Sequence, residues 1–315
     1  MTQNQEIKNS NNEAVKHVLQ SLIVNLLIVI AKGFAAFMTK SGAMLAETIH
    51  SFADCANQGL LLVGIKQSKK PADEKHPFGY GTSVYFWSFM VAMLLFSIGG
   101  MFSIYEGIHK YNSPEPVEAI GWGVGILLFS ICLEGYATYS NIKEINVRRK
   151  DNYSFFQYLK NTKDSDLVVI FGENAAAVLG LVIALFAMLT SYYTHDGRYD
   201  AAGSLAIGIV LILVAIFLSV EVKSLLIGES ADPNIIKTIE NLITKNQEID
   251  QLINCRTIQQ GPGEVLVCIK IRFKNNLYAN QISNHINQFE QDLRTIHNDV
   301  KYIYVEPDMQ EWKEN

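Results

Sequence analysis

The sequence predicts an α-helical membrane protein: six transmembrane helices followed by a small α+β cytoplasmic domain of α-β-β-α-β order. Three observations carry this reading. Six apolar runs, each long enough to cross a bilayer, fall at about 17–39, 42–66, 83–108, 118–141, 166–191 and 203–223. Charged residues make up 18% of the 315 residues, against about 25% in soluble proteins. After Gly228 the pattern changes to the mixed helical and alternating periodicity of a water-soluble fold.

Each run reaches roughly 20 residues, enough for about 30 Å of hydrocarbon. Only helices and closed barrels satisfy the backbone there, and these runs lack a barrel's alternation. A polar tail, 1–14, precedes the first run and reads as disordered. No cleavage site follows that run, so no signal peptide is expected. The connection between runs two and three carries Lys66, Lys69, Lys70 and Lys75, and that between four and five carries Lys143, Arg148, Arg149, Lys150, Lys160 and Lys163. The opposite connections carry only Lys40, Lys110 and Arg198. The positive-inside rule therefore puts both termini and the tail domain in the cytoplasm. The span 15–228 reads as a transmembrane domain and 229–315 as a cytoplasmic one.

In the tail, Ile235, Ile236, Ile239, Leu242 and Ile243 repeat at helical spacing. A short strand is expected over 250–258, a Gly261-Pro262-Gly263 turn, and a strand with Val265, Val267, Ile269 and Ile271 on one face. A helix over 278–296 and a strand over 300–307 complete a two-layer sandwich. About 85 residues bury only a modest core, so this domain is expected to form a homodimer.

The net charge of −5 and pI near 5.8 argue against nucleic-acid binding. Cys55, Cys132, Cys255 and Cys268 form no CxxC pair, which argues against a disulfide framework and a cysteine zinc site. No GxxxxGK[ST] motif is present to suggest ATP drive.

Ionisable groups inside membrane helices are costly and mark function by default. The second run holds Glu47, His50, Asp54 and Asn57 along one stripe, with His50 and Asp54 one turn apart. An imidazole and a carboxylate at that spacing can fill two positions around a divalent cation. A hydrogen-bonded seam between helices is the bland alternative. The fifth run adds Glu173 and Asn174 in an otherwise apolar stretch. Four N/O ligands without sulfur suit Zn²⁺, Mn²⁺, Fe²⁺ or Co²⁺. Glu173 has a rival role as partner of Lys32. Glu134 in the fourth run is either a proton-carrying group or a neutral, hydrogen-bonded one. Asp166 and Asp200 sit at helix starts, where a carboxylate suits the dipole. Asp73 and His76 in the 2–3 loop could hold a metal, although a Pro- and Gly-containing turn needs none. His17, His109, His195, His285 and His297 are isolated and read as surface or terminal histidines.

The chain resembles the cation diffusion facilitator family, also called the zinc-transporter or cation-efflux family, over about 15–310. The resemblance lies in the stretch from Ser41 to Gln58, in that from Lys70 to Gly81, in the six-helix layout and in the order of the tail. Glu47-x-x-His50-x-x-x-Asp54-x-x-Asn57-Gln58, the sequence from His76 to Gly81, and Asp200-x-x-Gly203-Ser204-x-Ala206-Ile207-Gly208 look like the branch related to zinc transporter nine. The resemblance implies a transport site between helices two and five, matched here by His50 and Asp54. At the usual helix-five positions stand Ile170 and Asn174, and the branch's Glu-Asp pair is Glu173-Asn174 here. Of the family's loop site, Asp73 and His76 match and Tyr80 replaces a His. The tail has Tyr304-Val305-Glu306-Pro307 where zinc-binding members have His-x-Asp-Pro, so a binuclear tail site is not expected.

The resulting expectation is a secondary transporter exporting divalent cations, zinc foremost, in exchange for protons. Its ligands are His50, Asp54, Glu173 and Asn174, and it needs no permanent cofactor. The alternative is a membrane-anchored interaction or regulatory protein with a decayed site. An intramembrane metalloenzyme is disfavoured because HExxH is absent. The Asn/Gln/Lys-rich extramembrane segments point to a bacterial inner membrane.

Overall fold

A computed structural model describes residues 25–149, 153–162 and 165–308. The 1–14 tail, His17, Lys150 and Lys163, and the side chain of Asp166, fall outside what is described. The chain divides into two compact units. Of the described residues, one unit is helical and comprises 25–63, 88–149, 153–155 and 166–220. The other comprises 64–87, 156–162, 165 and 221–308.

The long helices are α1 (Asn25–Thr39), α2 (Gly42–Ser68), α3 (Ser83–Asn112) and α4 (Ile120–Arg148). A short α5 (Phe155–Asn161) precedes α6 (Ser165–Thr194) and α7 (Arg198–Ile227). Four of them (α3, α4, α6 and α7) are long and apolar enough to cross a membrane. The 27 residues of α2 have the length too, but its apolar character is interrupted by Glu47, His50, Asp54 and Asn57. In α1 the description begins at Asn25, within the first apolar run.

Small residues bring these helices close. Added Cβ atoms would collide with Ile212 Cγ1 at Gly100 (2.5 Å) and with Leu205 Cγ at Gly107 (2.6 Å), so α3 can lie against α7. Gly203 faces Ala187 across α6 and α7 in the same way. Within α3 the residues Leu95–Met101 form a π-helical turn, with Gly99 and Gly100 buried. The following turn holds Ser103, whose carbonyl accepts from Ser204 Oγ at 2.9 Å.

Asp200 stands in the first turn of α7, as expected of a carboxylate at a helix start, and it serves a second helix as well. It is 2% exposed and reaches across to α2, accepting from Gly42 N and Ser41 Oγ at 2.5 Å each. Ser41 Oγ in turn accepts from Met44 N at 3.0 Å. At the start of α2 the Gly42 amide is thus satisfied from α7 and the Met44 amide by Ser41, which Asp200 holds, so the two helices are tied together.

In the second unit, α8 (Pro233–Lys245) starts with Asp232 accepting from Asn234 N and with a proline in its first turn. Strands β1 (Ile249–Gly261) and β2 (Glu264–Phe273) pair antiparallel through the expected Gly-Pro-Gly turn. Helix α9 (Ala279–Ile296) returns the chain so that β3 (Val300–Pro307) pairs parallel with β2, giving the order β1-β2-β3. Val265, Val267, Ile269 and Ile271 are 0–2% exposed. They pack with Ile235, Ile239 and Ile243 of α8 and with Phe289 and Leu293 of α9. The first strand runs longer than 250–258 because register shifts near both of its ends let pairing continue.

The 69–82 loop belongs to this unit. Phe78 meets the edges of Tyr302 and Tyr304 on β3, with ring centroids 5.3 and 6.4 Å away. The backbone of Gly81 lies against Gly261, where a Cβ would come within 2.6 Å of the Gln260 carbonyl oxygen.

Candidate metal centre

Helical spacing sets the site on α2. The His50 ring is fully buried, and its Nε2 lies 3.6 Å from Asp54 Oδ2. That distance is beyond a hydrogen bond. Both imidazole nitrogens and Asp54 Oδ1 are left with no hydrogen-bond partner in a buried setting. Native interiors rarely leave such groups bare, so the pair calls for a ligand.

Helix α6 brings Glu173 to the same region. Its Oε1 accepts from Asn57 Nδ2 at 2.7 Å, with both side chains buried. The preceding Gly172 packs against α7, where a Cβ would meet Leu218 at 3.1 Å. Asp54, Glu173 and Asn174 line one cavity of about 60 Å³. Asn25 of α1, Ser51 and Gln58 of α2, and Glu134 of α4 line it as well. His50 is not among the lining residues and reaches the cavity through Asp54. Among the described residues, no three His, Cys, Asp or Glu side chains are gathered closely enough to hold an ion as they stand.

Two members of the α2 stripe have other employment. Glu47 accepts from Lys32 Nζ at 3.3 Å, both side chains being fully buried. Lys32 also donates to Ser51 Oγ at 2.7 Å. The rival role expected for Glu173, partner of Lys32, therefore falls to Glu47. It stands on the helix beside α1 and shares its buried face, whereas Glu173 is engaged by Asn57. Asn57, seven residues from His50, was legible as part of the stripe but not as a partner of Glu173. Asn25 carried no signal beyond being polar in an apolar run, and Gln58 entered only through the stretch that carries the family resemblance.

The loop pair Asp73 and His76 comes together, with Nδ1 3.4 Å from Oδ1, but the carboxylate is occupied. It accepts from the amides of Lys75 (3.0 Å) and His76 (2.7 Å) and from Tyr80 OH (2.7 Å). The Tyr80 hydroxyl first, then the His76 amide, hold the Asp73 carboxyl below the usual carboxylate range, and Asp73 pushes the Tyr80 phenol up. In the tail, Lys270 Nζ pairs with Asp308 at 2.5 Å and with Glu306 at 3.2 Å, which raises the Lys270 ammonium's affinity for its proton.

Residues 18–227 match the family described as the cation efflux transmembrane domain. The chain is 30% identical over 297 residues to "Proton-coupled zinc antiporter SLC30A9, mitochondrial" of Xenopus laevis, covering 94% of this chain and 52% of that protein. It is 32% identical over 261 residues to the Homo sapiens protein of the same name, covering 82% and 45%. "Metal tolerance protein C4" of Arabidopsis thaliana is 26% identical over 272 residues, covering 86% and 60%. The chain thus spans about half the length of the relatives it matches at 30% identity or more. The match over two thirds of its residues, added to a polar seam in α2 facing a carboxylate of α6, shows that this chain belongs to the cation efflux family.

Proposed function

We propose that the protein is a secondary transporter of divalent cations, exporting them from the cytoplasm in exchange for protons, with zinc the foremost cargo. One observation carries the reading. His50 is buried with both ring nitrogens unsatisfied, and the half-buried Asp54, with its Oδ1 also bare, lines a cavity together with Glu173 and Asn174. The cargo is held there, between α2 and α6. Its ligands must shed protons to bind metal, so each loading event releases protons. His50 supplies a neutral imidazole, Asp54 and Glu173 supply charge, and Asn174 supplies an amide oxygen. Protons arriving from the other side displace the ion. Rocking of helices around a midplane site alternates the access. The printed names of the relatives, a proton-coupled zinc antiporter and a metal tolerance protein, support both the cargo class and the coupling.

In this reading 15–228 is the transport domain and 229–315 a cytoplasmic domain through which two copies pair. The host membrane is the bacterial inner membrane on the composition of the extramembrane segments. Fractionation of cells of the source organism decides this against an organellar bilayer, which is where the names of the vertebrate relatives place those proteins.

The test is a transport assay in metal-loaded vesicles across Zn²⁺, Mn²⁺, Fe²⁺ and Co²⁺, wild type against Asp54→Ala. Transport that is lost in the variant, with insertion intact, supports the reading. An inert wild type favours the alternative, a membrane-anchored interaction protein whose site has decayed at Asn174.

A further inference from the structure

We propose that Glu134 of α4 is a further ligand of the transported cation and biases the site toward oxygen-preferring ions. This rests on the transport reading above and adds a third helix to the two that hold the cargo.

Glu134 lines the cavity that Asp54, Glu173 and Asn174 line. Its helix is locked beside α6 one turn away: Thr138 Oγ1 donates to the Glu134 carbonyl at 2.8 Å and lies 3.3 Å from the Asn174 carbonyl. A carboxylate in a membrane helix normally faces a bundle interior or a wet cavity, which is where this one is found. None of the described residues lining the cavity is basic. The nearby ammonium, Lys32, is already matched by Glu47. Three carboxylates therefore share about 60 Å³ with no cation among the described lining residues. One member of the cluster, Asp54, has a bare Oδ1 and stands 3.6 Å from His50, which is fully buried behind it with both ring nitrogens unpartnered. These orphaned groups point to a cationic occupant.

The charge balance shows what Glu134 contributes. Next to Glu173 stands Asn174, a neutral amide, so α6 offers one anionic group to the cavity. Glu134 supplies another from α4. The donor set becomes three carboxylates and amide oxygens around a single imidazole. Carboxylate and carbonyl oxygens suit Mn²⁺, whereas imidazole suits Zn²⁺. Glu134 should thus matter more for Mn²⁺ than for Zn²⁺.

The test is equilibrium binding of Zn²⁺ and Mn²⁺ to the full chain in lipid nanodiscs, comparing wild type, Glu134→Gln, Glu134→Asp, Asp54→Ala and Glu144→Gln. Glu144 lies on the same helix but pairs with Arg148 and is remote from the cavity. Glu134→Gln should weaken Mn²⁺ binding at least about tenfold, the scale seen when a group supporting a metal is removed, and Zn²⁺ binding by less. Glu134→Asp should recover part of the loss, and Glu144→Gln should bind as wild type. If Glu134→Gln fails to fold, the Mn²⁺ to Zn²⁺ preference of Glu134→Asp decides, and a wild-type ratio there overturns the proposal. Wild-type affinities in Glu134→Gln, with binding lost in Asp54→Ala, overturn the role of Glu134 and leave the transport site standing. Wild-type affinities in both variants overturn the proposal together with the reading it rests on.

Discussion

Lys32→Met should be among the most damaging single changes in the helical unit, and Glu47→Gln should largely repair it. The Lys32 and Glu47 side chains are both fully buried, with Nζ 3.3 Å from Oε2. The second oxygen, Oε1, already has no hydrogen-bond partner, and a Cβ on Gly180 would collide with it. Removing the ammonium leaves a buried carboxylate with nothing to balance it, at a cost of about 3–5 kcal/mol. For a unit of this size each kcal/mol moves the melting temperature by about 2–4 °C, so the drop should be about 6–20 °C. Glu47→Gln alone strands the ammonium on Ser51 and should cost a similar amount. Independent losses of that size would sum to about 6–10 kcal/mol, but replacing both partners of a buried pair is often near neutral. The double variant should therefore stay within about 2 kcal/mol of wild type. The assay is thermal unfolding of the purified chain in lipid nanodiscs, followed by tryptophan fluorescence. Additive losses in the double variant would refute the pairing. So would a Lys32→Met defect that is rescued by Glu173→Gln instead.

Three more expectations concern the second unit. Asp73 has a folded pKa below its unfolded value of about 3.9, so its contribution to loop order is present above that value and lost as pH falls through the folded one. Tyr80→Phe removes the largest cause and should bring the Asp73 titration, read by carboxyl NMR on labelled protein, back toward the ordinary range; an unchanged titration contradicts the Tyr80 contact. Gly81→Val places a Cβ within 2.6 Å of the Gln260 carbonyl oxygen, and should speed hydrogen exchange of the loop around 76–82 while leaving β2 protected; unaltered loop exchange contradicts the close approach. The isolated 229–315 segment has its own core, from Ala231 to Ile303, and should fold and dimerise without metal; dissociation by chelator in sedimentation would contradict this.

How much of this was legible in the sequence depended on whether a feature is local. Alternation from Val265 to Ile271 announced a strand buried on one face because the period of two is intrinsic to the chain. The six apolar runs were legible because hydrocarbon thickness sets a length that the sequence must meet. His50 and Asp54 could be placed on one face by spacing alone. What stayed hidden were choices made across the bundle. Asp200 caps a helix 158 positions away in sequence, and nothing near it indicates that target. Lys32 had several carboxylates to choose from, and helix packing assigned it Glu47. Glu134 could be seen as an intramembrane charge, but its direction into the cavity depends on the rotation of α4, which a low-contrast apolar helix does not announce. The π-helical turn at Leu95–Met101 left only the trace of Gly99-Gly100, because its wider winding is settled by what packs against it.

The central claim is that a divalent cation is held as cargo by His50 and Asp54 of α2 together with Glu173 and Asn174 of α6. A zinc-edge X-ray absorption spectrum of the zinc-loaded chain in lipid nanodiscs tests it most directly. The account predicts a first shell of nitrogen and oxygen at about 2.0–2.2 Å, with an imidazole signature that disappears in His50→Ala and with zinc itself lost in Asp54→Ala. A sulfur shell at about 2.3 Å, or a spectrum that neither substitution alters, would contradict it.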